Sequence, residues 1–118
     1  MGDAVDAGKG VNGFLKRVRA KGAGGATLKP GPFAKESIPG HMGKPTAAEQ
    51  MQVNALMEKN GCHTCGTKLS GTKSGNSVVD HQPPQALGET KEFLPHCINC
   101  MRRQGGETLQ ELVKRRNN

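Results

Sequence analysis

The sequence has no tryptophan and no tyrosine, and only three of its 118 residues are phenylalanine. Hydrophobic residues make up 33% of the chain, which is too little for a large apolar core. A domain with so small a core needs another source of stability, such as a disulfide, a metal ion or a partner chain. The chain length also allows one domain at most.

Long apolar segments are missing as well. No segment approaches the roughly 18 consecutive apolar residues of a membrane-spanning helix. The first residues include Asp3 and Asp6 rather than the apolar stretch of a signal peptide. We therefore expect no membrane span and no ordinary secretion signal.

Charge of one sign dominates the chain. Lysine and arginine total 17 residues against 10 acidic ones, so the formal net charge is +7. Small basic proteins commonly bind polyanions, because lysine and arginine displace the counterions that condense on a phosphate backbone. The composition therefore favours nucleic acid as a partner, although a charge excess can also serve solubility alone.

The composition changes near Thr46. Residues 1–45 contain ten of the 17 glycines, and eight basic residues against three acidic ones. Basic sequence rich in glycine and interrupted by proline is typical of a flexible arm or linker. We predict such an arm at residues 1–45, dispensable for chemistry, and a folded domain at residues 46–118.

The first helix of that domain has clear signals at both ends. Thr46 and Glu49 have the spacing of a capping box, in which each side chain caps the first turn of a helix. Good helix formers continue to Lys59, and Asn60-Gly61 is a typical helix stop. A helix is therefore predicted between these two signals.

Two short strands and two more helices are expected after it. The β-branched run at residues 77–81 predicts a strand, and residues 93–94 are the candidate for a second one. Residues 95–104 predict a helix that ends at Gly105-Gly106, and a second capping box at residues 108–111 predicts a last helix. The expected fold class is a small α+β domain.

The cysteines form two C-x-x-C pairs separated by 31 residues: Cys62, Cys65, Cys97 and Cys100. A C-x-x-C turn lets two thiolates converge on one ion, and two such turns complete the tetrahedral sulfur set that zinc prefers. The alternatives are disulfides or a redox dithiol, but no thioredoxin-like βαβ pattern surrounds either pair. We predict a structural zinc site of four cysteines, which His63 or His96 could modify by replacing one ligand.

Between the two pairs, Asp80 and His81 end the predicted strand just before Pro83-Pro84. An acid and an imidazole at a strand edge are available for chemistry, although an Asp-His pair is often only a polar pair on the surface. The order C-x-x-C, strand ending in Asp-His-x-x-Pro, and C-x-x-C opening a helix resembles the zinc-bound branch of the HNH endonucleases. The resemblance covers residues 60–106.

The resemblance implies a fold, a reaction and the residues that carry it. The family fold is a ββα arrangement of hairpin and helix, which here would be flanked by further helices and the arm. By this resemblance Asp80 is a ligand of a catalytic divalent cation, and His81 is the general base for the attacking water. The reaction implied is hydrolysis of phosphodiester bonds, with DNA favoured over RNA.

At one position the chain departs from the family pattern. Met101 stands where the family has an asparagine or histidine that is the second ligand of the catalytic ion, and a thioether is a poor ligand for Mg²⁺. Two residues are candidates to replace it. Gln104, one helical turn further on and on the same helix face, is favoured with Mg²⁺ as the expected ion. His96, just before the helix, would suit a softer ion such as Zn²⁺ or Ni²⁺.

Partners and setting are also implied. Arg102 and Arg103 follow the last cysteine and are candidates for phosphate contacts, or else belong to a solvated helix face. Residues 95–106 resemble toxin modules attached to large secreted bacterial proteins, which implies a cognate immunity protein. Such a toxin would be exported without a visible signal peptide and act in the cytoplasm of the target cell; otherwise a cytoplasmic location is expected.

Two other classes of function remain as alternatives. A non-catalytic, zinc-stabilised nucleic-acid-binding module would share the zinc and the basic charge, but it would not need Asp80 or His81. A redox or deaminase-like enzyme ranks last, because the chain lacks a His-x-Glu motif beside the zinc ligands.

Overall fold

The computed structural model describes residues 26–117. Within them the chain forms β1 (Ile38–Pro39), α1 (Ala47–Asn60), β2 (Val78–Gln82), β3 (Glu92–His96) and α2 (Ile98–Arg116). The three strands make one antiparallel sheet in the order β1-β3-β2. The predicted α+β class is confirmed at this level. The first part of the predicted arm, residues 1–25, lies outside the described residues.

Helix α1 begins and ends where the sequence predicts. The Thr46 hydroxyl accepts from the Glu49 backbone N–H at 3.1 Å, and the Glu49 carboxylate accepts from the Thr46 N–H at 2.7 Å. Gly61, with φ of 82°, caps the other end and donates to the Met57 carbonyl. The helix buries Val53 and Met57. The capping box is thus confirmed.

The pairing of β2 with β3 decides which side chains share a face of the sheet. Asp80 lies opposite Leu94, and His81 lies opposite Phe93. Residues directly opposite each other in antiparallel strands point to the same face, and successive residues point to opposite faces. Asp80 and His81 therefore lie on opposite faces, with fully buried Leu94 and Phe93 beside them respectively.

Helix α2 differs from the sequence prediction at its start and in its middle. Pro95 and His96 belong to β3, so the helix begins after the N-cap Cys97 and not at residue 95. It then runs unbroken through Gly105 and Gly106, and the predicted stop there is wrong. Each glycine costs a helix only about 1 kcal/mol relative to alanine. Contacts further along α2, such as that of Glu107 with Thr27, fix the helix beyond the glycines.

A stability measurement tests this continuous helix. Gly105→Ala and Gly106→Ala should each raise the free energy of unfolding by about 0.5–1 kcal/mol, because alanine favours helix. A Cβ at either position would meet nothing within 4 Å. Gly61→Ala is the matched control and should destabilise, since its Cβ would lie 2.3 Å from the Gly66 carbonyl oxygen. Urea unfolding measures all three, and a loss of stability in both helix variants would favour a break at residues 105–106.

The described part of the predicted arm lies against the domain. Ile38 pairs with Phe93, and Gly40 donates to the Lys91 carbonyl at 3.0 Å. Thr27 is fully buried, and its carbonyl accepts from the side chains of Gln82 and Gln104 at 3.0 and 2.8 Å. Residues 26–45 therefore supply a strand and several long-range hydrogen bonds. Among residues 26–117, no helix is both long and apolar enough to cross a bilayer.

Truncation should show how much these contacts contribute. A chain of residues 46–118 should be less stable than one of residues 26–118 by about 3 kcal/mol, since each lost hydrogen bond contributes about 1 kcal/mol. The cut removes β1 and the hydrogen bonds made by Thr27 and Gly31. Urea unfolding of the two chains with zinc present makes the comparison. Equal midpoints would support the boundary at Thr46 and a dispensable arm.

Candidate metal centres

The four predicted cysteines lie together in the fold. Their sulfur atoms all lie within 4.8 Å of one another, and those of Cys65 and Cys97 are 3.8 Å apart. Four sulfurs bound tetrahedrally to one zinc at about 2.3 Å stand about 3.8 Å apart. All four cysteines are free, and no disulfide competes for them. The cluster can therefore hold a metal ion such as zinc.

Short turns bring each pair of sulfurs together. In the first pair, Gly66 adopts φ of 84° and its N–H donates to the Cys62 carbonyl at 2.8 Å. The Cys62 N–H in turn donates to the Thr67 carbonyl at 2.7 Å. In the second pair, Cys97 is the N-cap of α2, and its sulfur accepts from the Cys100 N–H at 3.4 Å.

The electrostatics of the cluster favour a bound cation. Burial raises the pKa of the Cys65 and Cys100 thiols above the ordinary value, and the nearby Cys62 sulfur raises both further. Burial acts to raise the pKa of Cys97 as well, but hydrogen bonds with Cys100, Cys65 and Cys62 together outweigh it and leave this pKa below the ordinary value. Thiolates packed this closely repel one another, and a divalent ion among them removes the repulsion.

A second cluster lies beside the first and contains His63, Asp80 and His96. All three side chains are at least 97% buried, and their ligand atoms lie within 4.8 Å of one another. His63 Nε2 is 2.7 Å from Asp80 Oδ2, and His96 Nδ1 is 3.9 Å from the same oxygen. The two imidazole rings stack with centroids 4.5 Å apart.

Hydrogen bonds determine which nitrogen of the His63 ring carries the proton. The Gly31 backbone N–H donates to His63 Nδ1 at 3.0 Å, so the His63 proton is on Nε2 and is donated to Asp80. Gln82 Nε2 also donates to Asp80 Oδ2, at 2.7 Å. Burial lowers the pKa of His96 to about 4, despite the opposing charge of Asp80, so its ring is neutral at pH 7.

The structure brings together some of the predicted site residues and adds one. Asp80 and His96 lie on the same face of the sheet and meet, whereas Gln104 donates to the Thr27 carbonyl instead. The sequence prediction names His63 only as a possible replacement ligand of the four-cysteine zinc site, and it does not include the contact of His63 with Asp80. One sequence signal bears on this arrangement. Side chains alternate along β2, so Asp80 is on the face opposite His81.

His81 lies apart from this cluster. Its ring packs edge-on against Phe93 at a centroid distance of 4.8 Å, and its Nε2 is 2.7 Å from the Gly43 carbonyl oxygen. Because a carbonyl oxygen only accepts, Nε2 carries the proton and the lone pair is on Nδ1. The side chain is partly exposed.

The predicted phosphate contacts lie at the surface. Arg102 and Arg103 are both exposed on α2, and Arg103 Nε donates to the Glu107 carboxylate at 2.9 Å. Further along the same helix, Arg115 pairs with Glu111. An exposed intrahelical ion pair contributes only a few tenths of a kcal/mol to stability. Arg103 or Arg115 could therefore leave its carboxylate partner and contact a phosphate.

No protein-family profile, no curated protein and no solved structure matches this chain. The comparisons therefore identify no family. Membership of the HNH endonucleases stays a prediction from the sequence.

Proposed function

We propose that the chain is a metal-dependent endonuclease of the HNH type that hydrolyses phosphodiester bonds of nucleic acid, DNA in preference to RNA. The observation that supports it most is the Asp80 carboxylate, which lies beside two imidazoles at the strand between the two cysteine pairs. A divalent ion held there would stabilise the negative charge that develops on phosphate during hydrolysis.

In the proposed reaction, residues on the two faces of β2 have different roles. Water attacks phosphorus, His81 accepts the proton from that water, and the bond to the leaving oxygen breaks. An ion held by Asp80 would stabilise the leaving oxygen. Because His81 and Asp80 face opposite ways, the substrate would have to lie across the end of the strand, near the Gly43 carbonyl that His81 now contacts.

The four-cysteine cluster has a separate proposed role, as a closed structural zinc site. Its sulfur spacing matches tetrahedral zinc, and four protein ligands leave no position for substrate. The zinc would fix the loop before β2 to the start of α2. The order β2, β3 and α2 is compatible with the ββα arrangement of the proposed family.

Charge supports nucleic acid as the substrate. The chain carries a net charge of +7, and exposed arginines and a lysine lie along α2: Arg102, Arg103, Lys114, Arg115 and Arg116. The proposals of a bacterial toxin and a cognate immunity protein depend on the resemblance of residues 95–106 alone.

One observation favours a second candidate, a zinc-stabilised nucleic-acid-binding module without catalysis. Asp80 is only 3% exposed and His96 is fully buried, so substrate cannot reach either in this conformation. In that case Arg102→Gln should weaken DNA binding and reduce its salt dependence, while Asp80 would only support the fold.

Cleavage of supercoiled plasmid by the purified chain tests the proposed function. We expect nicked and linear products with at least one of Mg²⁺, Zn²⁺ and Ni²⁺, each added singly, and none after EDTA treatment. A parallel reaction with structured RNA should proceed more slowly. Retained zinc in the EDTA-treated chain is the control, because it shows that the fold survives. A folded chain that binds plasmid but leaves it intact with every ion would favour the binding module.

A further inference from the structure

One buried nitrogen in the second cluster has no hydrogen-bond partner. His96 is fully buried, and its Nδ1 contacts no donor or acceptor within hydrogen-bond distance. The other ring nitrogen is satisfied, since Nε2 lies 2.9 Å from the Thr64 hydroxyl. A buried polar atom left unpaired destabilises the fold, so an unpaired nitrogen of this kind indicates a missing partner.

The partner that fits is a cation. His96 Nδ1 faces the Asp80 carboxylate at 3.9 Å, which is too long for a hydrogen bond. An imidazole nitrogen and a carboxylate oxygen that both bind one ion at about 2.1 Å lie about 3.0–3.4 Å apart. From their 3.9 Å separation, the two groups would therefore have to approach each other by about 0.5–0.9 Å. His96 Nε2–H would donate to Thr64, as ligating histidines usually donate through their second nitrogen.

We infer that Asp80 and His96 are the protein ligands of a second metal site, which takes a nitrogen-binding transition-metal ion such as Zn²⁺ or Ni²⁺ rather than Mg²⁺. Imidazole nitrogen suits zinc and nickel, whereas Mg²⁺ prefers oxygen ligands. The inference names the ion of the proposed nuclease and rests on that function for its catalytic role. Metal binding itself can be measured without cleavage.

His63 lies next to this proposed ion but is not one of its ligands. Its Nδ1 accepts from Gly31, so its proton is on Nε2 and points at Asp80. A metal at Nε2 would move that proton to Nδ1, against the Gly31 N–H. His63 and Gln82 instead orient the Asp80 carboxylate, each at 2.7 Å. Groups of this kind commonly change metal affinity about 10–100-fold.

Metal stoichiometry of the full chain tests the inference. After dialysis against more than two equivalents of Zn²⁺ per chain, with a larger excess of Mg²⁺, wild type should retain two zinc ions per chain. His96→Gln and Asp80→Asn should each retain one, which stays in the four-cysteine cluster and shows that the variant is folded. His63→Gln should bind the second ion about 10–100-fold more weakly. The control His41→Gln, an exposed histidine elsewhere, should keep two.

Cobalt titration of the wild-type chain keeps the inference testable if a variant unfolds and loses both ions. The first equivalent of Co²⁺ should give the strong sulfur-to-cobalt absorption, and the second should bind without adding to it. A wild-type chain that saturates at one ion, or a second ion kept by both His96→Gln and Asp80→Asn, would overturn the inference. Two bound ions without plasmid cleavage would instead contradict the proposed nuclease.

Discussion

Cys62→Ser and Cys97→Ser should each unfold the domain at 25 °C and prevent zinc from binding in the four-cysteine cluster. Binding of structural zinc is linked to about 10 kcal/mol of folding free energy, which is comparable to the whole stability of a typical domain. The described core has few large apolar side chains, with Phe93, Leu94 and Val53 as its fully buried ones. Such a core cannot compensate for the loss of the ion.

Circular dichroism and elemental analysis measure this effect together. Both variants should lose their cooperative thermal transition and contain no ion in the four-cysteine cluster. Met51→Ser is the control, because it removes a sulfur side chain that is 71% exposed and should cost less than about 1 kcal/mol. A serine variant that unfolds at the wild-type temperature would refute a structural zinc, as would fully folded wild type containing no metal.

The sequence predicted the features that depend on near neighbours. The capping box of Thr46 and Glu49 requires residues only three positions apart, and a C-x-x-C turn brings its own two sulfurs together. The convergence of the two cysteine pairs followed from ligand chemistry, because one tetrahedral ion needs all four sulfurs. Local geometry and ion chemistry were enough for these predictions.

Features that depend on distant contacts were not predictable in the same way. Gly105-Gly106 is a strong local stop signal, yet α2 continues, since the Glu107 carboxylate accepts from Thr27, 80 residues away. The pairing of His63 with Asp80 requires the first cysteine turn to fold against β2. The sequence of residues 26–45 resembles a linker, because β1 is only two residues long. So short a strand has no recognisable sequence pattern.

The alternation of side chains along β2 raises a question about catalysis. Asp80 and His81 are neighbours in the chain, and by resemblance they act on one phosphate. In the fold they occupy opposite faces of β2, with Asp80 buried and His81 partly exposed. The exposed partner, His81, is therefore the one whose role can be tested without disturbing the buried cluster.

His81→Ala should lower the rate of plasmid cleavage by about 10²–10⁴, the usual contribution of a positioned general base. Folding and zinc content should remain, because the ring is partly exposed and its edge-on contact with Phe93 contributes only about 0.5–1.5 kcal/mol. His41→Ala is a closely matched control, since His41 also packs edge-on against Phe93, at 5.0 Å, and should keep full activity.

Asp80→Asn should also lose activity, but part of it should return with excess metal ion if the carboxylate acts as a ligand. Single-turnover nicking of supercoiled plasmid, with binding measured in parallel at two salt concentrations, separates these effects. Cleavage by His81→Ala at the wild-type rate would rule out the proposed HNH mechanism, even if the chain binds DNA and metal.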